Sequence, residues 1–415
     1  MTSFCDDFLL HEILENEKIC MFFQPIVSLK TGEIFAYEAL VRGIRDNSTI
    51  LISPCELFEK AELETISLEF DRLCRKKALE SFRHFHSESS SMMFMNINTS
   101  VISPENPERP IINVITNQMG FDPQHIGLEL IESRAFSSTE LIEFVSHYRE
   151  AGFLIIIDDF GCEHSNIDRL IQIHPDVIKV DRSIICDIEK DPYRQSILKS
   201  IHSLAQMTGA LCLAEGVETL EEIRTCHLLG VDLFQGFAVA CPAPDLPELE
   251  KRTRERIAEL QSEMKQSTLD SLRIRRRLTG DINVLADWLI RQIDPEKFDC
   301  LNLVFQEFMA MNNEIECIYL LDDQGVQISD SISSPDVLRH VRPGIFAPAA
   351  KGTSHTFKPY YTCFEALRVK RYLTDVYLSL ASGNLCRTFS VQIDNNRGSF
   401  IILCIDFLEE RTACS

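Results

Sequence analysis

Seven apolar runs in the first part of the chain contain a charged or amide side chain or are directly followed by one. These residues are Glu38, Asn96, Glu129, the adjacent pair Asp158 and Asp159, Lys179, Glu215 and Gln235. Carboxylates outnumber the single lysine, and buried charges are costly unless they are paired or bind a metal. Carboxylate and amide oxygens suit hard divalent cations such as Mg²⁺, Mn²⁺ or Ca²⁺. The residue types therefore predict a divalent-cation site.

The adjacent carboxylates of Asp158 and Asp159 favour a site for two ions. Two-metal sites hold their ions about 3.5 to 4 Å apart and activate water for in-line attack on phosphorus, which is the chemistry of phosphodiester cleavage. A plainer alternative stays open, because a single acid at a strand end commonly caps a helix or pairs with a loop. Lys179 also has two interpretations: it neutralises the acidic cluster, or it positions the water or the phosphate.

The apolar runs that carry these residues predict the fold. They are short and rich in β-branched residues, and they span 21–23, 34–40, 92–97, 127–131, 154–157, 177–180, 211–214 and 232–237. Between most of them, apolar residues recur every three or four positions, as in a helix with one buried face. Strand and helix alternate, so the fold class is α/β, and eight strands in about 245 residues fit a closed (β/α)₈ TIM-like barrel.

The first two runs are separated by a turn and not by a helix. Residues 30–33 are too short for a crossover, so the first strand pair is predicted to be antiparallel. The remaining strands are predicted to be parallel, and their carboxyl ends open on one face of a barrel, where the active sites of this fold are built. The charged and amide residues should therefore converge on that face.

Composition limits the partners of the chain. Sixty-three acidic residues against 41 basic ones give a net charge of −22, which argues against nucleic-acid polymers and anionic membrane surfaces as partners. No apolar stretch approaches the roughly 20 residues of a membrane span, and the N-terminus lacks the pattern of a secretory signal. The fifteen cysteines show no C-x-x-C spacing and are interpreted as reduced thiols. A cytoplasmic location is expected.

The composition changes beyond residue 245. Residues 1–245 are predicted to form the barrel domain, 246–280 a helical linker, and 281–415 an α+β domain with helices first and hairpins afterwards. Between Lys251 and Arg277, nine basic residues stand against four acidic ones. This segment is either a solvated connecting helix or a coiled-coil arm that relays a signal or pairs subunits.

Residues 15–245 resemble an EAL domain, the barrel that hydrolyses the bacterial second messenger cyclic di-GMP to linear pGpG. The matching motifs contain Phe23-Gln24-Pro25, Tyr37-Glu38-Ala39-Leu40-Val41-Arg42, Met95-Asn96-Ile97-Asn98, Glu129-Leu130-Ile131-Glu132, Asp158-Asp159-Phe160-Gly161, Lys179-Val180-Asp181-Arg182, Ala214-Glu215-Gly216-Val217-Glu218-Thr219 and Phe234-Gln235-Gly236-Phe237. All occur in the order of the family. No Gly-Gly-Asp-Glu-Phe motif of diguanylate cyclases is present, so synthesis of the messenger is not expected.

The resemblance implies a role for each matching residue. Glu38, Asn96, Glu129 and Asp158 would bind one metal ion, and Asp159 would help to hold a second, the ions being Mg²⁺ or Mn²⁺. Lys179 would contact the nucleophilic water, and Glu215 would be either the general base or a further metal ligand. The substrate contacts would be Gln24, Leu40, Arg42, Asp181 and Gln235. Glu132 would anchor the loop that couples dimerisation to metal binding, so a homodimer is expected.

The sequence departs from the family in that loop. Glu163 replaces a glycine, and Ser165-Asn166 replaces a pair of serines. Glutamate cannot readily reach the positive φ angles open to glycine, so a barrel that binds cyclic di-GMP without turnover is the alternative function. The last 130 or so residues resemble a PAS-like or Cache-like sensor module. A packing or dimerisation domain without a ligand is the alternative for this region.

Overall fold

The structure is a computed structural model. It describes residues 10–44, 51–89, 91–97, 111–130, 138–162, 167–293, 301–333, 345–394 and 399–409. These residues form two compact units that divide after Thr268. The division falls within one continuous helix, Leu246–Ile290, which contains the predicted linker segment. The predicted domain boundaries remain predictions.

The first unit contains nine strands and the helices that connect them. Its strands are β1 Ile19–Ser28, β2 Glu33–Ile44, β3 Leu51–Ile52, β4 Met92–Ile97, β5 Ile126–Leu130, β6 Leu154–Phe160, β7 Val177–Val180, β8 Leu211–Ala214 and β9 Leu233–Phe234. Its helices are α1 Leu10–Glu15, α2 Pro54–Leu63, α3 Ser67–Ser89, α4 Ile111–Met119, α5 Ser138–Glu150, α6 Ile167–Ile173, α7 Arg182–Ile185, α8 Pro192–Thr208, α9 Leu220–Leu228 and the first part of α10 Leu246–Ile290.

Eight of these strands close into a barrel. The strand order is β1-β9-β8-β7-β6-β5-β4-β2, and β1 pairs with β2 to complete the ring. β1 is antiparallel to both neighbours, whereas β2 and β4 through β9 pair in parallel. The TIM-like barrel and its antiparallel first strand pair are therefore confirmed. The short strand β3 pairs with the end of β2 outside the ring and was not predicted.

Local sequence signals set several helix ends. Ser53 and Glu56 form a reciprocal capping box at the start of α2, and Thr219 and Glu222 do the same at α9. Asp191 caps α8, which ends at Gly209 in the left-handed conformation that glycine adopts without steric cost. These caps fix where α2, α8 and α9 begin and where α8 ends.

Two apolar layers stabilise the barrel unit. The larger lies between the strands and the helices, and residues of α10 such as Ile257, Leu260 and Met264 belong to it. The smaller fills the interior of the ring with Ile26, Ala36, Phe94, Ile156, Val177, Leu213 and Leu233. Such a filled interior makes the barrel a packed core and not a pore.

The second unit contains an antiparallel sheet. Its strands are β10 Ile315–Leu321, β11 Ile332–Ser333, β12 Arg371–Leu373, β13 Tyr377–Leu378, β14 Leu385–Asp394 and β15 Phe400–Leu408, in the order β11-β10-β15-β14-β12 with β13 on β14. The end of α10 and helix α11 Leu301–Met311 cover one face of the sheet through Leu289 and Phe305. Helix α12 Pro359–Leu367 packs against the other face through Tyr360 and Phe364.

The predicted strands of this unit are present with two differences. The apolar pattern of 372–380 predicts one strand, but the structure divides it into β12 and β13. The pattern also predicts a hairpin of 316–321 with 326–329. The edge partner of β10 is instead Ile332–Ser333, and residues 326–329 make only isolated contacts. Within the described ranges, no helix is both long and apolar enough to cross a membrane.

Candidate active site

The barrel places its charged and amide residues in one layer, directly above the apolar interior. On each parallel strand the residue two positions earlier lies in the lower layer. These pairs are Ala36 and Glu38, Phe94 and Asn96, Gly127 and Glu129, Ile156 and Asp158, Val177 and Lys179, Leu213 and Glu215, and Leu233 and Gln235. Residues two apart on a strand point to the same side, so the lower layer supports the upper one.

Gly127 and Gln24 show how the two layers are matched. A Cβ atom at Gly127 would lie 2.5 Å from atoms of both Phe94 and Ile156, so only glycine fits between them beneath Glu129. On β1, which runs in the opposite direction, Gln24 precedes its apolar partner and lies opposite Glu38 in the strand register.

Lys179 lies at the centre of four carboxylates. Its Nζ atom is 2.6 Å from Glu215, 2.9 Å from Glu129, 3.0 Å from Asp158 and 3.5 Å from Glu38. The lysine side chain is 1% exposed, and Glu129 is fully buried. Although burial opposes the charge of Lys179, the surrounding carboxylates raise its pKa well above the usual value. One ammonium group cannot neutralise four carboxylates, so the cluster keeps an excess of negative charge.

The Glu38 carboxylate is held by a second network of amides. Asn96 Nδ2 donates to Glu38 Oε1 at 3.1 Å, and Gln235 Nε2 donates to Glu38 Oε2 at 2.5 Å. Gln235 Nε2 also lies 3.3 Å from Gln24 Oε1, and Gln24 in turn donates to the carbonyl of Ala240 at 3.1 Å. Burial raises the pKa of Glu38, but Lys179 and these amides outweigh that effect and lower it overall.

A bulge in β6 brings both adjacent aspartates to the site. Side chains of successive residues on a regular strand point to opposite faces. The register with β7 shifts between Ile157 and Phe160, and Asp159 adopts a left-handed φ of 52°. As a result, carboxylate oxygens of Asp158, Asp159 and Glu215 all lie within 4.8 Å of one another.

The pKa values of three acids reflect this crowding. Burial raises the pKa of Glu215 to about 8, and the charges of Asp158 and Glu38 add to the effect despite Lys179. Burial, together with the charges of Asp158 and Asp181, raises the pKa of Asp159 to about 6. Glu129 is raised well above its usual pKa by burial and by the charge of Glu38. Burial is the largest cause of each shift, and the neighbouring carboxylates add to it.

The donor set therefore fits divalent cations. Both carboxylate oxygens of Glu129 and Oδ1 of Asp158 are buried without a hydrogen bond, although Lys179 is close to them. The ligand atoms are all oxygens, which Mg²⁺, Mn²⁺ and Ca²⁺ prefer. The cluster of Asp158, Asp159 and Glu215 is the one group of three or more metal-binding side chains found among the described residues.

A cavity of about 370 Å³ opens beside these carboxylates. It is lined by Gln24, Glu38, Arg182, Glu215, Gly216, Glu218, Gln235, Gly236 and Phe237. Arg182, Glu218 and Phe237 were not among the site residues predicted from the sequence. Arg182 pairs with Glu218 and donates to the Gly216 carbonyl at 3.0 Å, and the Phe237 side chain is 61% exposed. Each follows a predicted site residue by two or three positions, and this closeness to a strand end was the signal in the sequence.

Three of the predicted substrate contacts do not line this cavity. The Arg42 guanidinium lies over the Phe22 ring at 5.5 Å and donates to the Val41 carbonyl, and Leu40 precedes it on the same strand. Asp181 caps α7 by accepting a hydrogen bond from the Ser183 amide at 2.9 Å. Glu132, Glu163, Ser165 and Asn166 lie outside the described residues.

Residues 9–242 match the EAL domain family. The match covers more than half of the chain, and the chain belongs to this family. The class that the barrel and its acidic layer define is thus an EAL-domain protein.

The chain is similar to named members of the family. It is 24% identical over 428 residues to the uncharacterized EAL-domain containing protein YkuI of Bacillus subtilis (strain 168). This alignment covers 96% of this chain and 98% of YkuI. It is 31% identical over 260 residues to the probable cyclic di-GMP phosphodiesterase PdeI of Escherichia coli (strain K12), covering 58% of this chain and 33% of PdeI. The cyclic di-GMP phosphodiesterase PdeR of the same organism is 27% identical over 237 residues, or 57% of this chain and 35% of PdeR. The chain thus spans about a third of the length of these two phosphodiesterases.

Solved structures show the same fold. The crystal structure of the Bacillus subtilis YkuI protein, in complex with substrate c-di-GMP and calcium, superimposes with a TM-score of 0.75 at 23% identity. It covers 97% of this chain and 100% of the YkuI chain, so both units have counterparts in that fold. The EAL enzyme Bd1971, in its cAMP- and cyclic-di-GMP-bound form, gives a TM-score of 0.54 at 26% identity over 59% of this chain and 67% of its own.

Proposed function

We propose that this chain hydrolyses cyclic di-GMP to linear pGpG with the help of two divalent cations, Mg²⁺ or Mn²⁺. The main observation that supports this proposal is the layer of four carboxylates around Lys179 beside an open cavity. Membership of the EAL family supports the substrate, since relatives such as PdeR are named cyclic di-GMP phosphodiesterases. YkuI was crystallised with c-di-GMP and calcium, which supports both the nucleotide and an oxygen-preferring ion.

Two groups of residues would bind the two cations. Glu38, Asn96, Glu129 and Asp158 would hold one cation, with Asp159 and Glu215 placed to hold a second. Bound divalent cations supply an activated water and stabilise negative charge on the phosphate.

Lys179 would position the attacking water, and Glu215 would accept its proton unless it serves as a metal ligand only. These positions lie above a filled apolar layer, which keeps bulk water from entering from below.

The cavity would hold the nucleotide by contacts of different kinds. Gln24 and Gln235 offer amide groups beside Glu38, and Arg182 offers a cation for a phosphate oxygen. The exposed ring of Phe237 offers a surface on which a guanine base can stack. Leu40, Arg42 and Asp181 are also proposed to contact the substrate. Because they do not line this cavity, the nucleotide would have to extend beyond it to reach them.

A turnover assay with Mg²⁺, Mn²⁺ and Ca²⁺ tests the proposal directly. We expect linear pGpG to form, and we expect Glu38→Gln and Glu215→Gln each to lower kcat by at least about 100-fold, the range for loss of a catalytic acid or base. Glu221→Gln is the matched control, because Glu221 is an exposed acid in the first turn of α9. A control variant as inactive as the two site variants would contradict the assignment.

Binding without turnover is the competing function. It predicts tight binding of cyclic di-GMP in the presence of a chelator and no pGpG with any of the three ions. The motivation is the unusual loop at Glu163, and restoring a glycine by Glu163→Gly would then be expected to start or speed turnover.

We further propose regulation of the barrel by the second unit. Helix α10 contributes Leu260 to the core of the first unit and Leu289 to the core of the second, so residues of one helix belong to both cores. A chain ending at Thr268, which keeps the part of α10 that packs in the barrel core, should bind the nucleotide but differ in turnover rate from the full chain. The homodimer and the cytoplasmic location stay predictions, and the mass of the protein in solution tests the first of them.

A further inference from the structure

The turn that follows β9 carries two residues of the proposed site. Gln235 donates to Glu38, and the exposed Phe237 ring lines the cavity. Gly236, which joins them, has a φ of 154° that few other residues adopt. The backbone of this turn therefore decides where both side chains lie, and its hydrogen bonds decide where the backbone lies.

One set of these hydrogen bonds comes from the loop after β8. The Val217 amide donates to the Gln235 carbonyl at 3.0 Å, and the Ala238 amide donates to the Val217 carbonyl at 3.0 Å. Within the turn, the Ala240 amide donates to the Gly236 carbonyl at 3.0 Å. The carbonyl oxygen of Ala238 is bound by a different element.

That element is helix α10. Arg256 Nε donates to the Ala238 carbonyl at 3.0 Å, in partly buried surroundings. Nη1 of the same guanidinium donates to Glu259 Oε2 at 2.9 Å, one turn further along the helix. The next residue, Ile257, is buried in the barrel core, so the helix is packed firmly where it presents Arg256. Arg256 thus ties the turn to a fixed element.

The arginine two positions earlier on α10 makes contacts of another kind. Arg254 pairs with Glu33 at 2.7 Å and with Glu250 at 2.9 Å, and its side chain is 51% exposed. These partners are acidic side chains outside the turn, and exposed pairs of this kind contribute little to stability. Arg254 is therefore a matched control for Arg256.

We propose that Arg256 is a positioning residue for the nucleotide: its hydrogen bond to the Ala238 carbonyl holds the Phe237 ring where a base of cyclic di-GMP stacks. This inference rests on the proposed function of the barrel. Arg256 does not line the cavity, and Gln235 keeps its bond to Val217 without it. Loss of Arg256 should therefore act on the affinity for the nucleotide and not on the chemical step.

Steady-state kinetics of the full chain test this division. Arg256→Met keeps an apolar stem and removes the N–H donors, so KM for cyclic di-GMP should rise about five- to tenfold while kcat changes by less than about twofold. Arg256→Lys keeps a donor and should recover part of the affinity, and Arg254→Met should match the parent. A fall in kcat at unchanged KM, or equal effects in the two methionine variants, would overturn the proposal. If the parent binds without turnover, Kd replaces KM.

A double-mutant cycle shows whether Arg256 acts through the aromatic ring. In the background of Phe237→Ala, adding Arg256→Met should raise KM by less than about twofold, because the ring that Arg256 positions is already absent. Independent, multiplicative effects of the two changes would mean that Arg256 acts elsewhere and would refute the positioning role.

Hydrogen exchange supplies a readout that needs no nucleotide. The amides of residues 238–240 should exchange faster in Arg256→Met than in the parent or in Arg254→Met, while those of β7 stay equally protected in all three. Unchanged exchange in the turn would refute the role of Arg256 even in a fully active enzyme. Faster exchange in a protein that neither binds nor cleaves cyclic di-GMP would instead refute the proposed function, and with it the effect on nucleotide affinity.

Discussion

Lys179 is the residue on which the barrel site depends most. Its ammonium group is within 3.5 Å of four carboxylates, so its removal leaves buried negative charges that repel one another. We expect Lys179→Met to lower the free energy of unfolding by about 3–5 kcal/mol in chelator, the range for a broken buried ion pair, and to abolish turnover. Denaturant unfolding with and without Mg²⁺ measures this, and added Mg²⁺ should recover part of the loss.

The control for that variant is an exposed lysine. Lys190 is 70% exposed and pairs with Asp187 at 2.5 Å, so Lys190→Met should leave the free energy of unfolding almost unchanged. Equal losses in the two variants would show that the buried cluster has no special dependence on its cation.

His355 of the second unit makes stability depend on pH. Its Nδ1 lies 2.7 Å from the Tyr360 hydroxyl and its Nε2 lies 3.0 Å from Gln327 Oε1, a pattern that suits the neutral ring. Burial, with a smaller effect of Lys358, lowers its pKa from 6.5 to about 4. The unfolded chain therefore takes up a proton first as the pH falls, and stability is lost between about 6.5 and 4, by up to about 3 kcal/mol.

His355→Gln should remove most of this pH dependence while lowering stability at pH 7. Denaturant unfolding at several pH values in that range measures the slope, with the exposed residue His11 changed to Gln as the control. An unchanged slope in His355→Gln would assign the acid sensitivity to other groups.

At the scale of the element, the turn after β9 is the most constrained. Gly236 has a φ of 154°, and a Cβ atom there would lie 2.2 Å from the Val217 carbonyl oxygen. Gly236→Ala should displace Gln235 from Glu38 and lower both cyclic di-GMP affinity and turnover by more than about tenfold. Binding and turnover assays measure the two effects separately.

Gly209 provides a matched control for that turn. Its φ of 80° is also positive, but a Cβ atom there meets nothing within 4 Å. Gly209→Ala should cost about 1 kcal/mol of stability and leave activity intact. If the two variants behave alike, backbone strain and not the close approach to Val217 explains the effect.

Helix α10 has one buried and one exposed leucine whose contributions to stability can be compared. Leu260 is fully buried in the barrel core, so Leu260→Ala should lower the free energy of unfolding by about 2–5 kcal/mol. Leu272 on the same helix is 54% exposed, and Leu272→Ala should change it by less than about 0.5 kcal/mol. Denaturant unfolding of both variants makes the comparison, and similar losses would argue against the packing described for Leu260.

At the scale of the whole molecule, the negative charge predicts that divalent cations bind specifically at the barrel site. The chain carries a net charge of −22, and the barrel layer adds buried acids that Lys179 does not balance. Millimolar Mg²⁺ or Mn²⁺ should therefore raise Tm more than NaCl of equal ionic strength, because specific binding stabilises the folded state while screening acts on all charges. Scanning calorimetry measures the difference.

The double variant Asp158→Asn/Asp159→Asn should lose this specific stabilisation and keep the effect of NaCl. An equal response of the parent protein to both salts would exclude a divalent site of useful affinity.

The sequence alone determined the strand runs, the barrel class and the positions of the acidic residues. Apolar periodicity is a local property, so β4, β7 and β8 could be read from a few residues each, and the motif order identified the EAL family. In the second unit the same patterns located β14 and β15, but they missed the division of 371–378 into two strands, since edge pairing depends on the neighbouring strand.

Only the tertiary structure decided how these residues meet. The bulge that turns Asp159 toward Glu215, the central position of Lys179 and the direction of Arg42 all depend on contacts between different strands. Arg182 and Phe237 entered the site because loops from different strands converge on one rim. Such placement follows from ring closure and packing against many neighbours, and no stretch of sequence encodes it locally.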